Sequence, residues 1–167
     1  MQSVEQWNGS NWVYREAYLY QNNAWKSIST ILFSNGVDNT AITGGWVSSE
    51  SGANVTIANG YVQSGAVAYM TLYENNAINL TPYSTLTAKV STNVTSAATF
   101  NLIVAAAKTR SPSIIVQSSN ISVSNIDTPI DVSVDVSAVN AAYYIGLKST
   151  PSSSAAHTGR IYEAILI

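Results

Sequence analysis

Apolar and polar residues alternate along most of this chain, which is the pattern of half-buried β-strands. In the segment TLTAKVS, Leu86, Ala88 and Val90 fall on one face and polar residues fall on the other. Further strand candidates are the segments IDVSVDVS, TFNLIVAAAK, SIIVQSSNISVS, AYYIGLKS and GRIYEAILI. Turn signals containing glycine or proline separate them, and no segment shows a convincing helical period. The pattern therefore predicts an all-β fold, either an antiparallel β-sandwich or a barrel.

The beginning of the chain repeats an aromatic unit every thirteen residues, with WNGSNW followed by YQNNAW and then by FSNG. Asn8-Gly9 and Asn22-Asn23 tolerate the positive φ angles of tight hairpin turns. Between these turns, Trp12, Tyr14, Tyr18 and Tyr20 would share one face of a strand. The repeat then ends, so the sequence predicts a small β-hairpin or meander unit over residues 1–35 and a main sandwich over residues 36–167.

The aromatic residues of the repeat need a partner surface, because 35 residues bury too little area to be stable alone. We expect them to pack on the main domain or on a sister chain, and stacking on a sugar ring is the alternative. The predicted packing or oligomer contacts are Trp7, Trp12, Tyr18, Tyr20 and Trp25.

Composition narrows the classes of partner. Charged residues make up only 10% of the 167 residues. Most of the polar surface must therefore consist of neutral serine, threonine, asparagine and glutamine side chains. That balance is typical of extracellular or particle-bound β-proteins. The net charge of −2 and the scattered basic residues argue against nucleic acid as a partner. No apolar run is long enough for membrane insertion, and the absence of cysteine excludes a disulfide framework.

Residues suited to catalysis or metal binding are sparse. Asp131 and Asp135 form the one spaced acidic pair, which is most simply a soluble strand edge, with calcium binding or catalysis as the alternatives. His157 is the only histidine, and no Gly-x-Ser-x-Gly elbow is present. The sequence therefore predicts that the protein is not an enzyme and that it needs no cofactor and no metal.

Several segments resemble known proteins. NGSNWVYREAYLYQNNAWKSIST followed by FSNGVDNTAITGGW resembles the distal regions of bacteriophage and prophage tail proteins of Gram-positive hosts. INLTPYSTLTAKVS, PIDVSVDVSAVNAAYYIGLKS and the closing RIYEAILI resemble galactose-binding-like jelly rolls. The resemblance implies a jelly-roll sandwich in a virion tail component, commonly trimeric, that attaches to carbohydrate on the host surface.

Ligand loops cluster at one end of jelly rolls of the resembled type. Here they would be residues 43–46, 107–113 and 149–160. A carbohydrate site needs aromatic faces and planar polar groups. We therefore expect Trp46 to stack on a sugar, unless it is a buried plug at the start of a strand. Arg110 and His157 are the expected partners for hydroxyl or carboxylate groups, unless they are ordinary solvated loop residues.

Tyr61, Tyr69 and Tyr73 are secondary candidates for contact with a ligand, because alternation also suits them to the core or to an interface.

Three functions fit these observations. The favoured hypothesis is a receptor-binding or carbohydrate-binding module of a phage tail, located in the virion or outside the cell. Its expected partners are a host-surface glycan, other tail proteins and two further copies of itself in a trimer. The alternatives are a purely structural oligomerising tail or head-fibre module, and a carbohydrate-binding appendage of a secreted enzyme or adhesin.

Overall fold

A computed structural model of the chain describes residues 4–7, 12–15, 18–21, 24–27, 30–34, 37–38, 45–49, 54–58, 60–65, 71–92, 99–121, 125–150 and 157–167. Regular structure in these ranges consists of strands alone: β1 Val4–Trp7, β2 Trp12–Arg15, β3 Tyr18–Gln21, β4 Ala24–Ser27, β5 Thr30–Ser34, β6 Val37–Asp38, β7 Trp46–Ser48, β8 Val55–Ala58, β9 Tyr61–Ser64, β10 Thr71–Glu74, β11 Ile78–Asn79, β12 Thr85–Thr92, β13 Thr99–Ala105, β14 Ile114–Gln117, β15 Ile130–Asp135, β16 Ala142–Thr150 and β17 Gly159–Leu166. Within the same ranges, no helix has the length and apolar character needed to cross a bilayer.

Two antiparallel sheets form a sandwich, which confirms the predicted all-β class. The six-stranded sheet has the order β14-β13-β16-β10-β7, and β11 also pairs with β16. The seven-stranded sheet has the order β15-β12-β17-β5-β6, with β9 pairing with β17 and β8 pairing with β9. Neighbours in both sheets are often far apart in sequence, so the fold is held by long-range pairing.

Alternation along the strands builds the core between the two sheets. In β12, Leu86 and Val90 are fully buried, whereas Thr87 and Lys89 between them are partly exposed. Buried residues of β17 lie beside them in the same sheet, and residues of β13 and β16 face them from the other sheet. Each fully buried aliphatic or phenylalanine side chain contributes roughly 1.5–3 kcal/mol. The largest fully buried side chains of this core are Phe33, Leu72, Leu80, Leu86, Phe100, Leu102, Ile145, Leu147 and Ile161.

A second, smaller apolar cluster lies on the other face of the six-stranded sheet. Tyr73, Ile103 and Ala105 are fully buried there, and Tyr144 packs against them. The Tyr73 ring lies so close to Gly146 that a Cβ at Gly146 would stand 2.7 Å from Cδ1 of the ring. The Tyr73 hydroxyl donates to the carbonyl of Thr109 at 3.1 Å, so the loop that follows β13 covers this cluster. Burial raises the pKa of Tyr73.

The N-terminal segment forms two separate hairpins, as the turn signals predict. β1 pairs with β2, which sets Trp7 opposite Trp12, and β3 pairs with β4, which sets Tyr20 opposite Trp25. The expectation that residues 12 to 20 form a single strand was wrong, because β2 and β3 belong to different two-stranded sheets.

The division of the chain near residue 35 stays a prediction. β5, which lies before that point, pairs with β17 of the main sandwich. The side chains of Trp7, Trp12, Tyr18, Tyr20 and Trp25 are outside what the structure describes, so their predicted packing role also stays a prediction.

Replacing Gly146 with alanine should destabilise the fold. In a strand, alanine is normally more stabilising than glycine. Here, however, its Cβ would also meet the backbone oxygen of Leu72 at 2.8 Å, so the strands must shift. We expect a loss of about 1–3 kcal/mol in the free energy of unfolding, measured by urea denaturation. Ser133→Ala, at an exposed position of β15, is the control and should change stability by less than about 0.5 kcal/mol. Equal stability of wild type and Gly146→Ala would contradict the close approach.

Candidate functional site

Two neighbouring strands of the seven-stranded sheet place polar and aromatic side chains on its outer face. Arg160 of β17 is the register partner of Gln63 of β9, and the next pair, Ile161 and Val62, is fully buried in the core. Because successive side chains in a strand point to opposite faces, Arg160 and Gln63 point away from the core. Together with Tyr61, Tyr162 and Asp127 they form what we call the Arg160 cluster.

Arg160 is the centre of this cluster. Its Nε donates to Oε1 of Gln63 at 2.6 Å, and its Nη1 forms a 2.7 Å ion pair with Oδ1 of Asp127. The guanidinium carbon lies 4.2 Å from the centroid of the Tyr61 ring, which is a cation–π distance. The rings of Tyr61 and Tyr162 meet edge to face, with centroids 5.4 Å apart. The two rings and the planar guanidinium therefore hold one another in a fixed arrangement.

The backbone carbonyl of Ile126 ties the loop before β15 to the same place. It accepts hydrogen bonds from the Tyr162 hydroxyl at 3.2 Å, from Nη1 of Arg160 at 3.4 Å and from Oγ of the buried Ser91. Asp127 follows directly in the chain, so these contacts also fix the position of its carboxylate. The polar side of the cluster is thus built before any ligand arrives.

The charge state of the cluster is well defined. Partial burial acts to lower the pKa of Arg160, but hydrogen bonds to Tyr162 and Asp127 and the neighbouring tyrosines outweigh it and raise the pKa above its ordinary value. Arg160 therefore stays charged, and Asp127, whose side chain is 77% exposed, balances it. The result is a nearly neutral surface of half-buried rings beside fixed donors and acceptors.

Trp46 is not at this face, and the structure overturns its predicted stacking role. Its side chain is only 6% exposed and belongs to the main core, so it has no ring face left for a sugar. It opens β7, opposite Glu74 of β10, which matches the alternative of a buried strand-start plug. Glycines before a tryptophan suggested an exposed loop, but the indole provides more stability when buried in the sandwich.

Arg110 is exposed in the loop that follows β13, so its predicted contact with a ligand stays a prediction. That loop lies at the Trp46 end of the sandwich. Lys108 in the same loop donates to the backbone oxygen and Oδ1 of Asn75, and the amide of Asn75 in turn donates to the carbonyl of Gly45 at 2.8 Å. Two of the three predicted ligand loops are therefore neighbours.

His157 lies at the opposite end and is fully buried, so the prediction that it contacts a ligand was wrong. Its ring meets Phe100 edge to face at 6.0 Å, and Phe100 is five residues along β13 from Ala105, a distance of about 16 Å. Neither ring nitrogen has a hydrogen-bond partner among the described residues. Burial lowers the pKa of His157, since a charged ring would be poorly solvated there.

Asp131 and Asp135 lie exposed on the outer face of β15. Oδ1 of Asp135 accepts hydrogen bonds from the amide and the hydroxyl of Ser137, which lower its pKa. Within the described ranges, no group of three or more histidine, aspartate and glutamate side chains could hold a metal ion.

Sequence reasoning reached only one member of the Arg160 cluster. Tyr61 was a secondary candidate; Tyr73 of that group is buried, and Tyr69 lies outside the described residues. The signal for the rest was the pair of segments YVQS and GRIYE, in which polar or aromatic residues flank one apolar residue. Each segment could be recognised as a strand with polar residues on one face, but the sequence does not show that β9 pairs with β17.

The buried His157 predicts a loss of stability in mild acid. Its pKa is lower in the folded chain than the unfolded value of about 6.5, so the unfolded chain takes up the proton first as the pH falls. As the pH falls below about 6.5, the free energy of unfolding should therefore decrease, by at most about 1.4 kcal/mol per pH unit. Urea unfolding at pH 7.5, 6.5 and 5.5 measures this slope. In His157→Gln the slope between pH 6.5 and 5.5 should be smaller, and identical slopes in both proteins would contradict the assignment.

This chain is similar to known proteins in its fold. No protein-family model and no curated protein matches the sequence. Among solved structures, the fold is similar to family 29 carbohydrate-binding modules. An alanine variant made to probe ligand recognition aligns with a TM-score of 0.54 and 14% identity over 84% of this chain and 92% of that chain.

Two similar structures of such modules contain oligosaccharides. A variant complexed with mannohexaose has a TM-score of 0.52, and one complexed with cellulohexaose has a TM-score of 0.54. Both are 14% identical to this chain, and each alignment covers 83% of this chain and 89% of that chain. At this identity the likeness shows the fold: this chain has the β-sandwich fold of family 29 carbohydrate-binding modules.

Proposed function

We propose that this chain is a non-catalytic carbohydrate-binding module and that the Arg160 cluster is its binding surface. The observation that carries the proposal is the rigid grouping of Tyr61 and Tyr162 with the planar polar groups of Arg160, Gln63 and Asp127. A sugar ring presents an apolar face and a rim of hydroxyl groups. Half-buried tyrosine rings match the first, and planar donors and acceptors match the second.

Rigidity favours this surface as a binding site. Arg160 and Tyr162 are held by hydrogen bonds to Ile126, Gln63 and Asp127, so little side-chain entropy remains to be lost when a ligand binds. β9 and β17 are paired neighbours, so their outward side chains lie side by side where a sugar chain could cross both strands. The nearly neutral charge of the cluster favours an uncharged glycan.

The solved structures of family 29 modules support the proposed carbohydrate binding by analogy of fold. Their complexes with mannohexaose and cellulohexaose show that such a sandwich can carry a site for uncharged oligosaccharides. Lysine, arginine, aspartate and tyrosine are among the residues replaced in those modules to probe ligand recognition. The Arg160 cluster contains three of these four residue types.

Tyr162→Ala should weaken binding of an uncharged hexasaccharide by about tenfold or more, which corresponds to roughly 1.4 kcal/mol. It removes one ring and also the hydroxyl that donates to Ile126. Titration calorimetry with mannohexaose and with cellohexaose measures the change. Tyr61→Phe keeps the ring and should retain most of the affinity, whereas Tyr61→Ala should not.

The matched control is Gln117→Ala, at an exposed position of β14 in the other sheet. It should bind both sugars as the wild type does. Unchanged affinity in both Tyr61→Ala and Tyr162→Ala, with the variants folded, would place the binding surface elsewhere. Failure of the wild type to bind any member of a broad glycan array would contradict carbohydrate binding altogether.

We propose further that the module works outside the cell on a virion tail and attaches it to host-surface glycan as part of a homotrimer beside other tail proteins. The sequence resemblance of the hairpin segment and of the later strands supports this role. The paired hairpins β1–β2 and β3–β4 also favour it, since two-stranded units need a further surface to be stable. A structural tail module and an appendage of a secreted enzyme or adhesin are the alternatives.

Light scattering of the intact chain tests the assembly. We expect the mass of three chains, and we expect Trp25→Ala to shift the population towards monomers because a hairpin aromatic residue would be lost from the contact. Tyr83→Phe, in the main sandwich, is the control and should leave the mass unchanged. A monomeric wild type at tens of micromolar would contradict the trimer and leave the glycan-binding proposal standing.

A further inference from the structure

We infer that the outer face of the six-stranded sheet is a second binding surface, distinct from the Arg160 cluster, for a polysaccharide that carries carboxylate groups. This surface, which we call the Tyr144 face, comprises Tyr144, Lys148 and the loop residues Lys108 and Arg110. The inference goes beyond the proposed function, and its evidence is independent of the Arg160 cluster.

Among the described side chains, the outer faces of the two sheets differ in charge. The outer face of the seven-stranded sheet and its Ile126 loop carry more acidic than basic side chains: Asp127, Asp131, Asp135 and Glu163 against Lys89 and Arg160. The Tyr144 face carries basic side chains: Lys108, Arg110 and Lys148. Among the described residues, the one acidic side chain on the strands of that sheet is Glu74, which is fully buried and accepts a hydrogen bond from the amide of Asn76.

Lys108 and Lys148 keep their positive charge uncompensated by any carboxylate in the described part of the chain. Lys108 donates to the backbone and side-chain oxygens of Asn75, which are neutral. Within the described ranges, the hydrogen bond of Lys148 is a long 3.5 Å contact with the carbonyl of Ser149. Both side chains are half-buried, so their ammonium groups are held close to the protein surface. Such groups attract an anion more strongly than freely moving surface lysines do.

One of the two lysines lies beside a partly exposed aromatic ring. Tyr144 is half-buried, packs beside Ala105 and Tyr73, and has Nζ of Lys108 at 5.3 Å from its ring centroid. Lys148 lies four residues further along β16 on the same face, about 13 Å away. Gly146 lies between them, and the Tyr73 ring fills the space above it. The face is therefore a strip with one positive group at each end and the partly exposed Tyr144 ring at the Lys108 end, while the buried Tyr73 ring supports the strip from within.

The loop across this strip is fixed in place. The Tyr73 hydroxyl donates to the carbonyl of Thr109, and Lys108 is bonded to Asn75, so two contacts hold the loop on the sheet. Arg110 follows Thr109 directly and is exposed at the rim of the face. This gives the predicted role of Arg110 towards a carboxylate a structural setting, without Trp46 or His157.

The occupant with matching chemistry is an acidic polysaccharide. Its carboxylates complement the separated positive groups, and one of its sugar rings can pack on the partly exposed ring of Tyr144. Nucleic acid is disfavoured, because the whole chain carries a net charge of −2 and offers no continuous basic stretch. The two faces together would let one chain bind a neutral and an acidic glycan at once.

Titration of the intact protein with hexagalacturonate tests this inference, with the fully methyl-esterified hexasaccharide as the neutral match. We expect binding of the acid form at low salt, at least fivefold weaker binding of the ester, and weakening of the acid form by 0.5 M sodium chloride. Lys148→Gln and Lys108→Gln should each weaken binding of the acid roughly two- to fivefold. Lys148→Gln leaves the loop contacts of Lys108 intact, so its effect cannot arise from a displaced loop.

Lys89→Gln is the matched control, since it removes the same charge from the opposite sheet and should leave binding of the acid unchanged. Tyr162→Ala should also leave it unchanged, which separates this inference from the proposed function. Equal affinity for acid and ester, or an equal loss in Lys89→Gln, would overturn the Tyr144 face. Equal binding of a single-stranded oligonucleotide of the same charge would also overturn it, because recognition would then be of charge alone.

Discussion

The structure depends on the pairing of its last strand, β17. This strand pairs with β12 along most of its length, with β5 at its end and with β9 at its beginning, so residues from opposite parts of the chain meet on it. Its apolar residues Ile161, Ala164 and Leu166 are buried between the sheets. Positions next to Ile161 in the strand must then face outwards, and Arg160 and Tyr162 occupy the two on either side of it. The same strand therefore contributes buried residues to the core and outward-facing residues to the candidate site.

The same constraint explains why the two outer faces differ. Each sheet gives its apolar positions to the shared core, and what remains outside is set by the alternate positions of each strand. On the seven-stranded sheet these positions carry a compact arginine, tyrosine and carboxylate network with balanced charge. On the six-stranded sheet they carry tyrosines under a basic loop. One core therefore supports two surfaces with different chemistry.

Period-two patterning was sufficient to predict the sandwich and its core strands, because burial on one face leaves a local signal in the sequence. It could not predict which strands pair, and the Arg160 cluster depends on the contact of β9 with β17 across almost one hundred residues. Trp46 and His157 misled for one reason: both lie beside glycine, serine or threonine residues that indicate loops, yet both side chains are buried. Local composition predicts backbone turns better than it predicts the direction of a side chain.

The central claim is that sugar is bound on the outer face formed by β9 and β17. Titration of isotopically labelled protein with mannohexaose, followed by backbone amide NMR shifts, tests it most directly. The account predicts that the largest shifts fall in Tyr61–Ser64, in Gly159–Leu166 and around Asp127, with little change in β13 and β16. Shifts confined to the strands of the six-stranded sheet, or no shifts at millimolar sugar, would contradict it.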